Sequence, residues 1–362
     1  MTGREDRQEP TRDPAPARDG AVTIRIDEIP FAETMAPEPE APPLGACFAR
    51  GEIGRAARGY HLWDRLSGGA FVALDALFRR LPVDVGPAVG AAIAGVTRRL
   101  EGRRVYARRI AHNLSVLAPD GPVTGTALEA SVARWWRTMG RMMAEYASVE
   151  RYRASRRVTV EGYDALKETG LADGQFIYVA VHLGSFELLG EVVNNGLNRT
   201  CIGIWEPERN RFRNRLLSRL RRRYGMHVFP PGQRSARHIH RCVVQGGTDI
   251  LCFVDEVRAR QSHLPTFGRP LPDRGNGVNA VKLALRSGAP LIPVYMLREP
   301  GGRFRVRLHP PLPLDREVPA EEALRKALEE IDAFFDPIVR ENREQWWMLA
   351  EARLPGFDPN RT

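Results

Sequence analysis

The segment VAVHLGSFELLG, Val179 to Gly190, joins a strand-like pattern to a helix-like one. Its first residues are β-branched or small and apolar, which predicts a buried strand that ends at His182. Gly184 permits a tight turn, and Ser185 suits the N-cap position of a helix that begins near Phe186. The segment therefore predicts a strand, a short turn and a helix.

Glu187 follows His182 by five residues. On one continuous helix the two side chains would diverge by about 140°, whereas a strand–turn–helix junction lets them converge. A carboxylate that accepts a hydrogen bond from one imidazole nitrogen fixes the tautomer, so the other nitrogen can act as a general base. This pair predicts activation of a hydroxyl for attack on an acyl group. The alternative is a structural histidine beside a solvated glutamate.

From residue 157 onward the chain alternates between strand-like and helix-like runs. The strand-like runs are RVTVEG, FIYVAVH, MHVFP, DILCFVDE and APLIPVYML, and the intervening helical ones include SFELLGEVVNN, NRLLSRLRRRYG, ARHIHRCVVQGG and GVNAVKLALRSG. This alternation predicts an α/β fold with a largely parallel mixed sheet flanked by helices. A hairpin is expected to turn at Gly301 and Gly302. His182 would then lie at the carboxyl edge of the sheet, where such folds bind ligands.

Composition divides the chain into four segments. Residues 1–45 carry eight prolines and many charges, which predicts a disordered tail. Residues 46–155 have helical periodicity, residues 156–315 form the predicted α/β core, and residues 316–362 contain an amphipathic helix and a tail that pack on that core.

The helical region allows two interpretations. Its longest uncharged run, Val85 to Val96, has twelve residues, fewer than the roughly 20 that a spanning helix requires. Flanking arginines suit helices that dock on a membrane surface, and the alternative is that they form the core of a helical bundle. A stripe that includes Trp135 and Met139 is interpreted as core and not as a ligand site.

The charge of the 362-residue chain is +10, and arginine supplies most of the positive charge. Eight arginines lie between Arg209 and Arg223, and they form an anion-binding surface or a solvated helix face. Nucleic acid is not expected as a partner, because no DNA- or RNA-binding motif is present. The four cysteines have no CxxC spacing, so we expect reduced, mostly buried thiols and no metal site. No signal peptide is apparent at the N-terminus, which makes a cytoplasmic location the default.

The segment HLGSFE, residues 182–187, resembles the His-x4-acid motif of the glycerolipid acyltransferases. Its glutamate form is similar to that of the lipid A late acyltransferases, the lauroyl and myristoyl transferases of Gram-negative bacteria. Four further segments resemble that family's blocks in the same order, over roughly residues 60–350. They are ARRIAHNLSVLAPD, VDEVRARQSHLPTFGRPLP, AVKLALRSGAPLIPVYMLREPGGRFRVRLHPPL and REQWWML.

The resemblance implies acyl transfer from acyl carrier protein to a hydroxyl of a lipid A precursor or another anionic lipid. The enzyme would lie peripherally or monotopically on the cytoplasmic face of the inner membrane. His182 would be the general base and Glu187 its orienting partner, with backbone N–H groups near Gly184 facing the oxyanion. No metal or organic cofactor is implied, because a thioester is already activated. The remaining implied site residues, all substrate-binding, are Gly184, Ser185, Arg209, Asp255, Gly268 and Lys282.

The sequence also departs from the family pattern. Trp205, Glu206 and Pro207 stand where the family often has Tyr-Arg-Pro, and Glu256 replaces the usual glutamine after Asp255. These changes leave the acceptor open, so a different envelope lipid is the first alternative. The second is a non-catalytic basic protein that binds membranes or nucleic acid on an acyltransferase fold.

Overall fold

A computed structural model of the chain describes residues 26, 29, 34, 35, 38–258 and 261–359. Most of the predicted disordered tail, residues 1–45, lies outside these described residues, so that prediction stays untested.

Helices occupy the first part of the described chain and then alternate with strands. The α-helices are α1 (Gly51–Arg58), α2 (Asp64–Arg80), α3 (Val85–Glu101), α4 (Val105–Val116), α5 (Gly125–Glu145), α6 (Val149–Ala154), α7 (Tyr163–Glu168), α8 (Phe186–Glu191), α9 (Arg211–Arg223), α10 (Gln233–His240), α11 (Asn276–Ser287) and α12 (Ala320–Glu341). The strands are β1 (Val158–Glu161), β2 (Ile177–Ala180), β3 (Cys201–Ile204), β4 (His227–Phe229), β5 (Asp249–Phe253), β6 (Val257–Arg258), β7 (Gln261–Ser262), β8 (Leu291–Glu299) and β9 (Arg303–Leu308).

Seven of these strands form one sheet in the order β1-β9-β8-β2-β5-β3-β4. Its strand pairings are parallel except for the antiparallel pair β8 and β9. The predicted α/β fold with a largely parallel mixed sheet is therefore confirmed, as is the hairpin between β8 and β9. Strand β3 was not among the predicted strands, because its four residues include a glycine and give a weak strand pattern.

Strand β2 lies near the centre of the sheet and is buried on both faces. Ile177 and Val179 belong to one hydrophobic core, and Tyr178 and Ala180 belong to the core on the opposite face. This alternation follows from the two-residue period of a strand, and helices cover both sides. Because β2, β5 and β3 are parallel neighbours, the residues that follow them meet at one edge of the sheet.

The region before β1 is helical, as predicted, and its helices α3 and α5 cross at very short distance. A Cβ atom on Gly90 would lie 2.2 Å from the carbonyl oxygen of Gly140, so only glycine fits at this crossing. Among the described residues, no helix is both long enough and apolar enough to span a lipid bilayer.

Candidate active site

The turn that follows β2 carries His182 out of the sheet. Gly184 adopts a left-handed backbone conformation (φ 56°), and a Cβ atom there would lie 2.7 Å from the carbonyl oxygen of Met296. Glycine is therefore required for both reasons. Ser185 precedes α8 as predicted, but its side chain makes no capping hydrogen bond.

Asp255, which follows β5, holds the histidine. Its Oδ1 atom lies 2.7 Å from Nδ1 of His182, and its Oδ2 accepts hydrogen bonds from the backbone N–H of His182 (2.9 Å) and from Nε1 of Trp346 (2.8 Å). Asp255 and Trp346 are fully buried. A carboxylate acceptor at Nδ1 places the ring proton on that nitrogen, so Nε2 retains a lone pair. Nε2 has no hydrogen-bond partner in the described part of the chain.

Glu187 does not make the contact that the sequence suggested. Its carboxylate pairs with Arg221 through two hydrogen bonds, of 2.7 and 3.0 Å, and accepts a third from the hydroxyl of Tyr224 at 2.6 Å. The expectation that Glu187 orients His182 through a hydrogen bond is wrong, because the first turn of α8 faces α9 and a guanidinium offers a carboxylate two parallel donors. The carboxylate that orients the imidazole is that of Asp255.

The electrostatics of this second cluster follow from its burial. Burial acts to raise the pKa of Glu187, but the charge of Arg221 and the hydrogen bonds from Arg221 and Tyr224 outweigh it, so the pKa is lowered. Arg221 responds in the opposite sense: burial acts to lower its pKa, and Glu187 raises it above the usual value. Both groups are charged at neutral pH. The Nη1 atom of Arg221 is buried and has no hydrogen-bond partner within the described residues.

Two aromatic rings define the position of the imidazole. The ring of Phe253 stacks on His182 at a centroid distance of 4.2 Å, and Phe186 meets it edge-on at 4.5 Å. These rings exclude water from two sides of the imidazole and restrict its rotation.

His182, Glu187 and Arg221 line a cavity of about 310 Å³ at the carboxyl edge of the sheet. Phe253 and Trp347 form part of its wall. The cavity therefore brings together a histidine with a free ring nitrogen, a buried guanidinium with a free N–H and an aromatic surface.

A second cavity, of about 420 Å³, adjoins the first and is mainly apolar. The two share Phe71, Met143 and Trp347 in their linings. The second one extends between α2, α3, α5 and α9. Trp135 and Met139, interpreted above as core residues, are buried and also line this cavity. The core interpretation of this stripe was therefore incomplete.

None of the five other predicted substrate-binding residues lines the cavity that contains His182. Arg209, Gly268 and Lys282 are exposed and do not line the cavity that contains His182. The backbone N–H of Gly184 donates to the carbonyl oxygen of Gln345 at 3.2 Å, so it is not free to face an oxyanion. Ser185 is buried outside the cavity lining.

The polar wall of the cavity is rich in carboxylates. Glu206 and Glu208 line it beyond the end of β3, and Glu256 lines it after β5. Glu208 pairs with Arg213 at 3.2 Å. The position where the sequence lacks the family's arginine is thus part of the site and bears a negative charge.

The arginines of α9 occupy two different environments. Arg211 is buried, pairs with Asp64 at 3.3 Å and lies 3.6 Å from the ring centre of Tyr60. Arg221 reaches the site, whereas Arg219 is exposed. Arg211 and Arg221 therefore do not belong to a solvated face. The use of the others as an anion-binding surface stays a prediction.

Three site residues were not predicted from the sequence: Arg221, Tyr224 and Trp346. The sequence carried a signal for Arg221 and Tyr224. Positions 217, 221 and 224 recur at helical spacing, and Leu217 is buried, so this face is directed towards the core. For Trp346 the only signal was its place in the REQWWML segment.

Metal chemistry has no evident donor set in the part of the chain that the structure describes, where no three His, Cys, Asp or Glu residues group closely enough to hold an ion. Cys201, Cys242 and Cys252 are buried free thiols and Cys47 is half-buried, so the cysteines are mostly buried, as predicted.

The comparison with known families agrees with this geometry. The sequence model of the bacterial lipid A biosynthesis acyltransferases matches residues 67–352, which include the helical layer, the sheet and the C-terminal segment with Trp346. No curated protein matches the chain. Because the match covers most of the chain, including His182 and Asp255, the protein belongs to the bacterial lipid A biosynthesis acyltransferase family and is an acyltransferase.

Proposed function

We propose that the protein transfers a fatty acyl chain from the thioester of an acyl carrier protein to a hydroxyl group of a lipid A precursor. The observation that carries this proposal is the His182–Asp255 pair, whose histidine lines a cavity that adjoins an apolar one. A base and room for a hydrocarbon chain are the two requirements of the reaction.

In the proposed mechanism, Nε2 of His182 removes the proton of the acceptor hydroxyl as that oxygen attacks the thioester carbonyl carbon. Asp255 stabilises the imidazolium that forms. The tetrahedral intermediate then collapses with cleavage of the C–S bond, and the imidazolium returns the proton to the departing thiolate. The ester and the free thiol of the carrier are the products, so protons and electrons balance within one cycle.

Arg221 lines the same cavity as His182 and supplies a positive charge there. Its buried Nη1 has no partner in the described residues, and Glu187 holds the guanidinium through the other two nitrogens. A positive charge held in place at the wall of a cavity stabilises a developing oxyanion. In this proposal Glu187 positions Arg221, and Asp255 positions His182.

The acyl chain would occupy the apolar cavity, and membrane lipid would have access to its wall. Leu74 and Ile93 line this cavity and are also exposed, at 37% and 42%. Within the described residues, every exposed large apolar side chain lies between Leu44 and Val105. Such concentration of apolar surface marks an interaction site, which supports docking of this region on the cytoplasmic face of the inner membrane.

Transfer from purified acyl carrier protein thioesters to a lipid A precursor tests the proposal, with the acylated lipid detected by mass spectrometry. We expect His182→Ala to lower the rate by about 10²- to 10⁴-fold, because the proton acceptor is removed. His240→Ala is the matched control, since His240 lies on α10 outside the cavity. A variant lacking His182 with a near-wild-type rate would contradict the mechanism.

A second candidate keeps the chemistry but changes the acceptor to another envelope lipid. Glu206 and Glu208 in the cavity wall favour it, because carboxylates repel an acceptor whose reacting hydroxyl lies beside a phosphate. Mass spectrometry of the lipids of a deletion strain separates the two candidates. Unchanged acylation of lipid A would favour the second.

A further inference from the structure

A polar cleft of about 700 Å³ lies outside the two cavities described above. It lies between α5 and the segment that follows α12, and its lining in the described chain contains no apolar side chain. We call it the arginine cleft. Its basic residues are Arg134, Arg137, Arg141, Arg298 and Arg343.

Carboxylates neutralise only part of this charge. Glu344 pairs with Arg134 at 2.6 Å, and the buried Glu145 pairs with Arg298 at 2.7 Å. Among the described residues that line the cleft, Glu344 and the exposed Glu341 are the acidic ones, and Glu145 lies behind Arg298 outside the lining. The arginine cleft therefore has a net positive charge.

Three of the arginines have no carboxylate oxygen within ion-pair distance among the described residues. Arg137 and Arg141 belong to this group, and Arg343 donates to the backbone carbonyl oxygens of Leu114 and Arg340. Burial lowers the pKa of the Arg141 guanidinium, and the positive charges of Arg298 and Arg137 lower it further. An anion in the cleft would relieve this repulsion.

The floor of the cleft is connected directly to the catalytic turn. The side-chain oxygen of Gln345 accepts a hydrogen bond from the backbone N–H of Arg298 at 2.8 Å. The backbone carbonyl oxygen of Gln345 accepts one from the backbone N–H of Gly184 at 3.2 Å. The N–H of Trp347 donates to the carbonyl oxygen of His182 at 2.9 Å. Gly184 and His182 are two residues apart, so their Cα atoms are separated by at most about 7 Å. A partner seated in the cleft is therefore close to the reacting centre.

The character of the cleft discriminates among anionic partners. A bilayer surface would also bury apolar side chains, yet the exposed large apolar residues of the described chain lie between Leu44 and Val105 and none lines the cleft. Single-stranded nucleic acid usually stacks on aromatic rings, and none of the described residues that line the cleft is aromatic. An acidic protein surface needs neither apolar side chains nor aromatic rings. Its spaced carboxylates are complementary to spaced guanidinium groups.

We propose that the arginine cleft is the docking surface for the acidic carrier protein that delivers the acyl thioester. This inference rests on the proposed function, in which a carrier protein is the donor. A carrier docked there would lie across the Leu183–Gly184 turn from His182. Its prosthetic arm would then reach the reacting centre. The arginines contribute to association with the carrier and not to the chemical step.

The test compares the full chain with the double variant Arg137→Glu and Arg141→Glu. Binding of unacylated carrier protein is measured directly, for example by calorimetry, so this readout does not depend on activity. We expect binding at least about tenfold weaker and a KM for the acylated carrier raised by a similar factor, with kcat unchanged. With a small acyl-pantetheine thioester as donor, the variant should equal the wild type.

Two further variants control the experiment. Arg286→Glu reverses a charge on the exposed part of α11, outside the cleft, and should leave carrier binding unchanged. Arg137→Glu alone, at an exposed position, serves if the double variant unfolds, and it should weaken binding in the same direction.

Equal carrier binding by wild type and folded cleft variants would overturn the inference. So would a selective loss of binding to anionic phospholipid vesicles or to oligonucleotides in the cleft variants. If the wild-type protein binds carrier through the cleft but never transfers an acyl chain, the docking surface stands and the proposed function falls.

Discussion

The carboxyl edge of the sheet and the layer formed by α2 and α3 differ in their exposure to water. At the sheet edge, Asp255 and Trp346 are fully buried and joined by a hydrogen bond. In the helical layer, Leu66 of α2 is exposed at 64%, and Trp63, directly before α2, at 67%. The comparison teaches that fixed polar contacts hold the proposed catalytic residues, whereas the proposed lipid-binding region exposes apolar side chains.

The two regions meet where the cavities join. Phe71 of α2 and Met143 of α5 line both, so the apolar layer reaches the neighbourhood of the imidazole. Substitutions on either side should therefore separate reaction rate from lipid handling.

The largest effect is expected at the sheet edge, from Asp255→Asn. The amide carries no charge to stabilise the imidazolium, and its NH2 group can face Nδ1 in place of the oxygen. We therefore expect kcat to fall by about 10²- to 10⁴-fold. Steady-state kinetics with the acyl thioester donor measure this change. Asp273→Asn, on an exposed loop, is the control and should leave kcat unchanged.

Arg221→Met tests whether the second cluster is structural as well as catalytic. It leaves Glu187 buried without its cation, and we expect a loss of about 3–5 kcal/mol in the free energy of unfolding. Arg219→Met, at an exposed position on the same helix, should have little effect. Denaturant titrations of both variants give the comparison.

The same variant should reverse the pH dependence that Glu187 contributes. In the wild type its lowered pKa adds stability above the ordinary value of 4.5, and this stability is lost as the pH falls through the folded pKa. Without Arg221, burial raises that pKa, so stability should increase as the pH falls from 7 towards 5. A decrease over this range would argue against the ion pair.

A smaller effect is expected in the apolar cavity from Thr97→Trp. Thr97 lines this cavity on α3, and a larger side chain there would shorten the space for hydrocarbon. We expect the ratio of kcat/KM for long and short acyl chains to fall by about tenfold. If both chain lengths lose activity equally, the cavity does not hold the acyl chain.

The smallest effect is expected for the exposed surface, from Trp63→Ser combined with Leu66→Ser. Removing this apolar area should weaken partitioning to anionic phospholipid vesicles by roughly tenfold, measured by co-sedimentation. Turnover of a detergent-dispersed acceptor should persist. Leu314→Ser, a half-buried leucine outside this region, is the control. Unchanged partitioning of the double variant would exclude this face as the membrane contact.

Local patterns predicted the parts of the molecule that local forces determine. The strand before His182, the glycine turn and the hairpin after β8 follow from residue spacing and turn chemistry, and the structure contains all three. Ordered motifs also indicated Asp255 as a site residue. These features require only neighbouring residues or a match between whole segments.

The pairing of side chains could not be predicted in the same way. Glu187 is five residues from His182, yet its partner is Arg221, because the direction of α8 depends on packing against α9. Arg209, Gly268 and Lys282 lie in segments that resemble family blocks, but segment order does not determine where a side chain points. The apolar cavity likewise depends on gaps between α2, α3 and α5, which apolar periodicity does not reveal.

The hydrogen bond between Trp346 and Asp255 has a consequence for the timing of biosynthesis. His182 and Trp346 are separated by more than 160 residues in the chain, so the ribosome makes the histidine long before the tryptophan that secures its carboxylate. A nascent protein that has already folded its sheet would still lack this hydrogen bond. Acyl transfer should therefore begin only after the C-terminal segment has emerged from the ribosome and closed over the site.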